Sequence, residues 1–107
     1  MNSLRCMRLI LFFDLPVLKE RQRAAYSRFV KNLKKQGFYM MQYSIYVKLN
    51  MDERSAQSSI NQVKEILPKE GYVSVIMITE KQFASIQFLL GEPETDVVCS
   101  DERLVVL

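Results

Sequence analysis

A run of apolar residues near the start of the chain ends on the carboxylate of Asp14. The length, flanks and aromatic content of residues 4–13 predict a β-strand rather than a helix. Successive side chains of a strand point to opposite faces, and here both faces are largely apolar. One face carries Met7, Leu9, Leu11 and Phe13, and the other carries Cys6, Arg8, Ile10, Phe12 and Asp14. The pattern therefore predicts a central strand that is covered on both sides.

The next segment, residues 17–36, has the three-to-four spacing of a helix with one buried side. Gly37 is a suitable residue to end this helix. At ~100° per residue, the basic side chains fall on the arc opposite the buried stripe. The stripe consists of Gln22, Ala25, Tyr26, Phe29, Val30 and Leu33. The sequence therefore predicts an amphipathic helix with a basic exposed side.

The middle of the chain completes an α+β pattern. A second helix begins after Asn50, which has the position of an N-cap, with Glu53 as its capping-box partner, and Pro68 stops it. Strand patterns occur at residues 38–41, 43–49 and 72–79. The order βαββαβ predicts the ferredoxin-like plait. We expect residues 1–107 to form one domain, with the plait in residues 1–79.

Residues 80–107 form an extension to the plait. A short helix at residues 80–85, capped by Thr79, is predicted to open it. Residues 86–90 are compatible with helix or strand, residues 91–100 have the composition of an acidic loop, and residues 104–107 form a strand-like apolar run. That last run needs an edge to pair with, in its own sheet or in a partner's.

The strand count also predicts self-association. Two helices cover only one face of a four-stranded sheet, yet the second face of the first strand carries Ile10 and Phe12. A stable monomer rarely exposes such an apolar face. A twofold homodimer is the simplest way to cover it.

Charge is distributed unevenly along the chain. Residues 19–35 hold seven basic residues and one acid, a local charge of +6, whereas the whole chain has a net charge of +3. A run of charges is often only a solvated surface, but exposed helices normally intersperse Glu with Lys, and this one does not. The pattern favours contact with a phosphate backbone, independent of base sequence. The candidate contacts are Lys19, Arg21, Arg23, Arg28 and Lys31.

Asp14 is the candidate for chemistry. The chain has no histidine, which excludes imidazole bases and Ser/His or Cys/His nucleophile pairs. On a twofold axis, one carboxylate from each chain could hold a magnesium ion that activates water for phosphodiester cleavage. An aspartate between a strand and Leu15-Pro16 is also good turn or helix-cap chemistry, and no second acid is obviously placed beside it within one chain. Both interpretations stay open at this point.

Four aromatic residues form a second candidate feature. They could stack on bases, as aromatic residues do on an RNA-recognition sheet. Packing in the core or a dimer interface is the alternative, and it is favoured because the Lys/Arg-Gly-aromatic signature of that module is missing. The four are Phe38, Tyr39, Tyr43 and Tyr46.

These features together resemble the CRISPR-associated protein two family, the small subunit of the spacer-acquisition machinery, and most closely its type II members. The resemblance covers nearly the whole chain. The matching features are Phe13-Asp14, Arg21 and Arg23, Gly37, Gln42-Tyr43-Ser44-Ile45-Tyr46, Thr79-Glu80-Lys81-Gln82-Phe83, Leu89-Leu90-Gly91-Glu92, and Glu102-Arg103-Leu104-Val105-Val106.

The resemblance implies a ferredoxin-like homodimer of the prokaryotic cytoplasm that bridges two dimers of the CRISPR integrase. It implies that Lys19, Arg21 and Arg23 face a short double-stranded DNA. It also implies that Asp14 is the Mg²⁺ ligand of an endonuclease acting on RNA or DNA. The docking surface for the integrase would lie in the tail, at Arg103, Leu104, Val105 and Val106.

Two other functions fit the same fold. One is a metal-dependent nuclease, either a standalone enzyme or a toxin-like ribonuclease. The other is a ferredoxin-like regulatory module that binds a small ligand, which accounts for the fold but leaves the basic helix unexplained. We also expect a protein outside the membrane, because the apolar run before Asp14 is too short to span a bilayer and no signal-peptide pattern precedes it.

Overall fold

A computed structural model describes residues 5–93, 97–100 and 103–106. Its α+β architecture confirms the ferredoxin-like plait. Leu4, the predicted start of the first strand, and Leu107, the predicted end of the last strand, lie outside the described residues. The elements are β1 Met7–Asp14, α1 Glu20–Lys35, β2 Tyr39–Gln42, β3 Ile45–Asn50, α2 Glu53–Lys64, β4 Tyr72–Thr79, α3 Glu80–Ala84, β5 Val97–Ser100 and β6 Arg103–Val106. In these residues, no helix is long and apolar enough to cross a membrane.

Strand β1 lies inside the main sheet, as its two apolar faces predict. The sheet has the order β2-β3-β1-β4, and every pairing in it is antiparallel. Leu11 of β1 pairs with Tyr46 of β3 on one side and with Val75 of β4 on the other. Because paired residues of an antiparallel sheet share a face, the register also fixes which side chains meet on each side of the sheet.

The hydrophobic core lies between the sheet and the two long helices. Leu9, Leu11 and Phe13 of β1 are buried against Phe29 and Leu33 of α1. The Phe13 and Phe29 rings meet edge to face with centroids 5.2 Å apart. Fully burying each such side chain contributes about 1.5–3 kcal/mol, so this face is the main source of stability in the described fold.

The opposite face of the sheet is only partly covered. Phe12 and Ile76 are 44% and 49% exposed, although they lie on central positions of β1 and β4. Tyr72, which pairs with Asp14, is also exposed on this face. An open apolar sheet face is therefore present in the single chain, as the strand count predicts.

One end of this face is closed by a buried arginine. The Arg8 side chain is 0% exposed; its Nε lies 2.7 Å from Glu80 Oε1 and its Nη1 donates to the Tyr39 hydroxyl at 2.8 Å. The guanidinium carbon also lies 4.2 Å from the centroid of the Phe83 ring. Since Glu80 and Phe83 belong to α3, these contacts fix that helix to the sheet. Thr79 caps it as predicted, accepting from the Gln82 backbone N–H at 3.1 Å.

The start of α2 differs from the prediction. Asn50 is not the N-cap, because it still belongs to β3 and pairs with Met7. The chain turns two residues later, and Asp52 caps the helix by accepting from the Ser55 N–H at 2.8 Å. Glu53, expected as the capping-box partner, is the first residue of the helix, and Ser55 takes that place.

The extension also differs from the prediction. The acidic loop expected at residues 91–100 contains strand β5, which pairs with β6 in a separate two-stranded sheet. Val97 and Val98 have the β-branched side chains that favour a strand, and they pair with Val106 and Val105. Residues 86–90, left open between helix and strand, form neither.

Candidate nucleic-acid interface around Asp14

Asp14 is the last residue of β1, and its side chain is exposed on the open face of the sheet. It does not cap α1, because that helix has Lys19 as its N-cap, with the Lys19 N–H donating to Gln22 Oε1 at 2.9 Å. Among the described residues, no hydrogen bond or ion pair engages the Asp14 carboxylate. The helix-cap interpretation is therefore wrong, and the carboxylate is available to a ligand.

Two backbone contacts hold the end of β1 in place. Gly71 has a φ of +100°, and a Cβ added there would lie 2.7 Å from the Asp14 carbonyl oxygen. That position needs glycine both for its left-handed backbone and for the space beside the strand. On the other side, the Phe13 N–H donates to the Ser44 carbonyl at 3.1 Å. The chain around Asp14 therefore packs closely against Gly71, the residue before β4, and is hydrogen-bonded to the β2–β3 turn.

A single chain offers Asp14 no obvious co-ligands. In the part of the chain that the structure describes, no three His, Cys, Asp or Glu side chains come together in a group able to hold a metal ion. Magnesium usually takes one or two carboxylates and completes its shell with water and phosphate oxygens. One exposed carboxylate per chain fits that pattern only if a second chain contributes another ligand to the same ion.

The first turn of α1 brings two predicted arginines to this end of the sheet. Arg21 forms an ion pair with Glu70, with 2.8 Å between Nη1 and Oε1, and Glu70 directly precedes the glycine that abuts Asp14. The hydrogen bond from Arg21 lowers the pKa of Glu70. Arg23 donates to the carbonyls of Val17 and Leu18 at 3.0 and 2.8 Å. Both arginines are exposed, but both already have internal partners.

The remaining predicted cations are less engaged. Lys19, Arg28 and Lys31 are exposed. No ion pair involves these three side chains within the described residues. On the helix, Arg28 lies seven residues after Arg21, so both occupy nearly the same side of α1. The helix therefore presents a cationic surface that runs away from Asp14 along its length.

The structure separates the four candidate aromatics. Phe38 and Tyr46 are buried, and burial raises the pKa of Tyr46, so both serve the fold. Tyr39 holds Arg8 through its hydroxyl. Tyr43 alone of the four remains largely exposed, at 73%. The prediction that these residues pack in the core is confirmed for Phe38 and Tyr46.

The predicted docking residues of the tail lie in a strand. Arg103, Leu104, Val105 and Val106 form β6, which pairs with β5 of the same chain. Sequence reasoning gave the strand but missed its partner. It also missed Glu70, whose contact with Arg21 spans 49 residues and leaves no local signal.

Comparison with known proteins agrees with this arrangement. The family model described as CRISPR associated protein Cas2 matches residues 7–86. Three curated relatives, each called CRISPR-associated endoribonuclease Cas2, align over 101 residues, or 94% of this chain. The relative from Treponema denticola is 45% identical and is covered completely, that from Ligilactobacillus salivarius is 41% identical and is covered completely, and that from Streptococcus mutans serotype c (strain ATCC 700610 / UA159) is 43% identical and is 93% covered. The chain therefore belongs to the Cas2 family of CRISPR-associated proteins.

Proposed function

We propose that this chain is a homodimeric scaffold of CRISPR spacer acquisition, which holds double-stranded DNA by its phosphate backbone and bridges dimers of the CRISPR integrase. The observation that carries the proposal is the exposed cationic side of α1, which starts beside Asp14. Its Lys19, Arg28 and Lys31 have no acidic partner in the described part of the chain. Clustered cations on one helix are the electrostatic footprint of a nucleic-acid-binding protein.

The homodimer follows from the open sheet face. Phe12 and Ile76 are half exposed in the single chain, and a second copy that packs on this face would remove them from water. Asp14 lies on the same face, at the end of the central strand β1. A twofold axis near the Asp14 end of this face would bring two Asp14 carboxylates towards each other.

Magnesium is the ion that such a pair would suit. Two carboxylates supply hard oxygen ligands, and water and a phosphate oxygen would complete the coordination shell. The ion would activate water and stabilise charge at the scissile phosphate. We also propose metal-dependent cleavage of RNA or DNA at this site. The curated relatives carry the name endoribonuclease, which supports the cleavage of RNA.

The integrase is proposed to dock on the tail. Residues 103–106 end the described chain as a strand, and β6 has only one neighbour among the described strands. A strand with an unpaired edge can accept a further strand from a partner. The five acids from Glu92 to Glu102 would favour a partner whose docking surface is basic.

The DNA-binding proposal is tested with Arg28→Glu/Lys31→Glu. Its matched control is Arg54→Glu/Lys81→Glu, which makes the same change of charge at exposed positions on α2 and α3. Affinity for a short duplex is measured by fluorescence anisotropy over a range of salt concentrations. Each lost phosphate contact should reduce the slope of log K against log salt by about 0.9. Equal slopes for test and control variants would refute the assignment of α1.

The nuclease function is tested separately with Asp14→Asn. This variant should lose magnesium-dependent cleavage while it keeps the salt-dependent binding of duplex DNA, because the basic side of α1 is unchanged. Cleavage that persists in Asp14→Asn would exclude Asp14 as the ligand. If the wild-type protein binds the duplex but never cleaves it, the nuclease function is refuted and only the scaffold function stands.

A further inference from the structure

Tyr43 is a large aromatic side chain that the fold leaves exposed next to the Asp14 end of β1. It lies in the two-residue turn between β2 and β3, and 73% of its surface is accessible. The following residue, Ser44, accepts a hydrogen bond from Phe13, the neighbour of Asp14. The exposed ring is therefore mounted on the turn that holds the candidate metal ligand in place.

The ring of Tyr43 is held in a fixed orientation. It stacks on Tyr26 of α1, with centroids 5.9 Å apart and an interplanar angle of 19°. Tyr26 is fixed in turn by an edge contact to Phe13 at 5.8 Å and by a hydrogen bond between its hydroxyl and Ser44 Oγ at 3.1 Å. One face of the Tyr43 ring thus rests on a rigid support, and its high exposure leaves the other side to solvent.

The turn keeps this arrangement at a cost. Ser44 has a φ of +64°, in the left-handed region that a residue with a Cβ adopts at roughly 1–2 kcal/mol. Its carbonyl and its hydroxyl are both engaged, one with β1 and one with α1. Backbone strain that neighbours hold from two sides is often found at functional sites.

The surroundings of Tyr43 indicate which class of ligand the exposed ring would bind. Tyr26 lies one helical turn after Arg23 and about two turns after Lys19, so the stacked pair lies beside the cations at the start of α1. An aromatic ring beside cations that follow a backbone is the arrangement by which proteins hold single-stranded nucleic acid. Paired bases inside a duplex keep their faces on each other and offer none to such a ring.

We propose that Tyr43 is a stacking platform for an unpaired nucleobase of the nucleic acid held at the Asp14 end. The inference rests on the proposed function, because the cations of α1 must first hold the phosphate backbone. It adds a base-binding residue, Tyr43, to the site of Asp14.

The first test compares wild-type protein with Tyr43→Ala on two probes of equal length, an oligothymidylate and an abasic strand with the same phosphates. Stacking on a base contributes about 1–3 kcal/mol, so Tyr43→Ala should bind oligothymidylate at least about fivefold more weakly. Its affinity for the abasic strand should not change. Tyr43→Phe keeps the ring and should bind both probes like the wild type. If Tyr43→Ala unfolds, Tyr43→Leu replaces it, since leucine fills the space over Tyr26 without an aromatic face.

A spectroscopic test uses the absence of tryptophan from the chain. Tyr43→Trp introduces one indole, and its fluorescence should be quenched by oligothymidylate and not by the abasic strand. Ala84→Trp is the control, at an exposed position on α3. That helix packs at Arg8, six residues of β1 away from Asp14, or about 20 Å at 3.3 Å per residue. Its fluorescence should respond to neither probe.

The outcomes separate the two proposals. Equal weakening of Tyr43→Ala on both strands, or no weakening on either, would overturn the stacking platform while wild-type binding still supports the cationic surface. A wild-type protein that binds neither strand nor a duplex at any salt concentration would overturn the proposed function as well. Equal weakening on a fully paired duplex would show that Tyr43 does not select unpaired bases.

Discussion

The buried ion pair between Arg8 and Glu80 allows a quantitative prediction of stability. Glu80→Ala would remove the carboxylate that lies 2.7 Å from Nε of Arg8, whose side chain is 0% exposed, while the Tyr39 hydroxyl and the ring of Phe83 stay in contact with it. Removing one partner of a buried pair typically costs 3–5 kcal/mol, because the charge that stays inside the protein is then less well compensated. The Glu80 side chain is 24% exposed, so water already reaches part of the pair. We therefore expect a loss at the lower end, about 3 kcal/mol.

Such a loss is large for a chain of 107 residues. Small domains have a free energy of unfolding of about 5–15 kcal/mol, so the variant would lose a fifth or more of it. At roughly 4–8 °C per kcal/mol, Tm should fall by about 12–24 °C. Urea unfolding followed by far-UV circular dichroism measures the change directly. Every variant is compared at the same protein concentration, because the proposed homodimer would be stabilised by mass action.

Two companion variants isolate the cause. Glu80→Gln keeps the shape and can still accept a hydrogen bond from Arg8, so it should lose less than Glu80→Ala. Arg8→Met/Glu80→Ala also removes the buried charge of Arg8 and should recover part of the loss. A loss below about 1 kcal/mol in Glu80→Ala would place the pair among weak surface pairs and refute this reasoning. So would a double variant that is less stable than Glu80→Ala.

Three further predictions concern the surroundings of Asp14. Glu70→Gln should strengthen binding to duplex DNA in an anisotropy titration, because Arg21 becomes available to phosphate; unchanged affinity would mean that the pair does not compete with DNA. Since Arg21 lowers the pKa of Glu70, the pair stabilises the folded state above the ordinary pKa of glutamate and loses this effect as the pH falls through the lowered value. Wild-type and Glu70→Gln melting curves should therefore converge in acid. Gly71→Ala should cost more than about 1 kcal/mol in urea unfolding, because its Cβ would lie 2.7 Å from the Asp14 carbonyl. Gly91→Ala is its control, with a φ of +77° and open space around the added Cβ; an equal cost in both would exclude the contact as the cause.

The fold was predictable where local patterns and tertiary packing agree. The alternation in β1 and the stripe in α1 gave both elements and their buried sides. The capping of α3 by Thr79 was predicted from the same local chemistry. Asn50 shows where such reasoning fails. Its side chain is as good a cap as that of Asp52, but pairing with Met7 extends β3 through it and moves the cap two residues on.

The candidate site was predictable only in part. The position of Asp14 at the end of a strand and the cationic side of α1 follow from spacing alone. The pairing of Arg21 with Glu70 does not, because it depends on how the α2–β4 connection returns to the helix. The exposure of Tyr43 was equally hidden, since the sequence gives Phe38, Tyr39 and Tyr46 the same aromatic character. Its distinct role depends on a turn in which Ser44 adopts a left-handed backbone.

The two faces of β1 have a consequence for how the chain tolerates substitution. Leu9 and Leu11 are buried by the chain's own helices, so changes there are expected to reduce the stability of every copy. Phe12 is half exposed, and a polar residue there would cost an isolated chain little. Under the proposed homodimer, the same change would fail only at assembly. A mutational scan that measures folding and one that measures spacer acquisition should therefore give different results at every second position of β1. The positions that differ would identify the dimer interface without a structure of the complex.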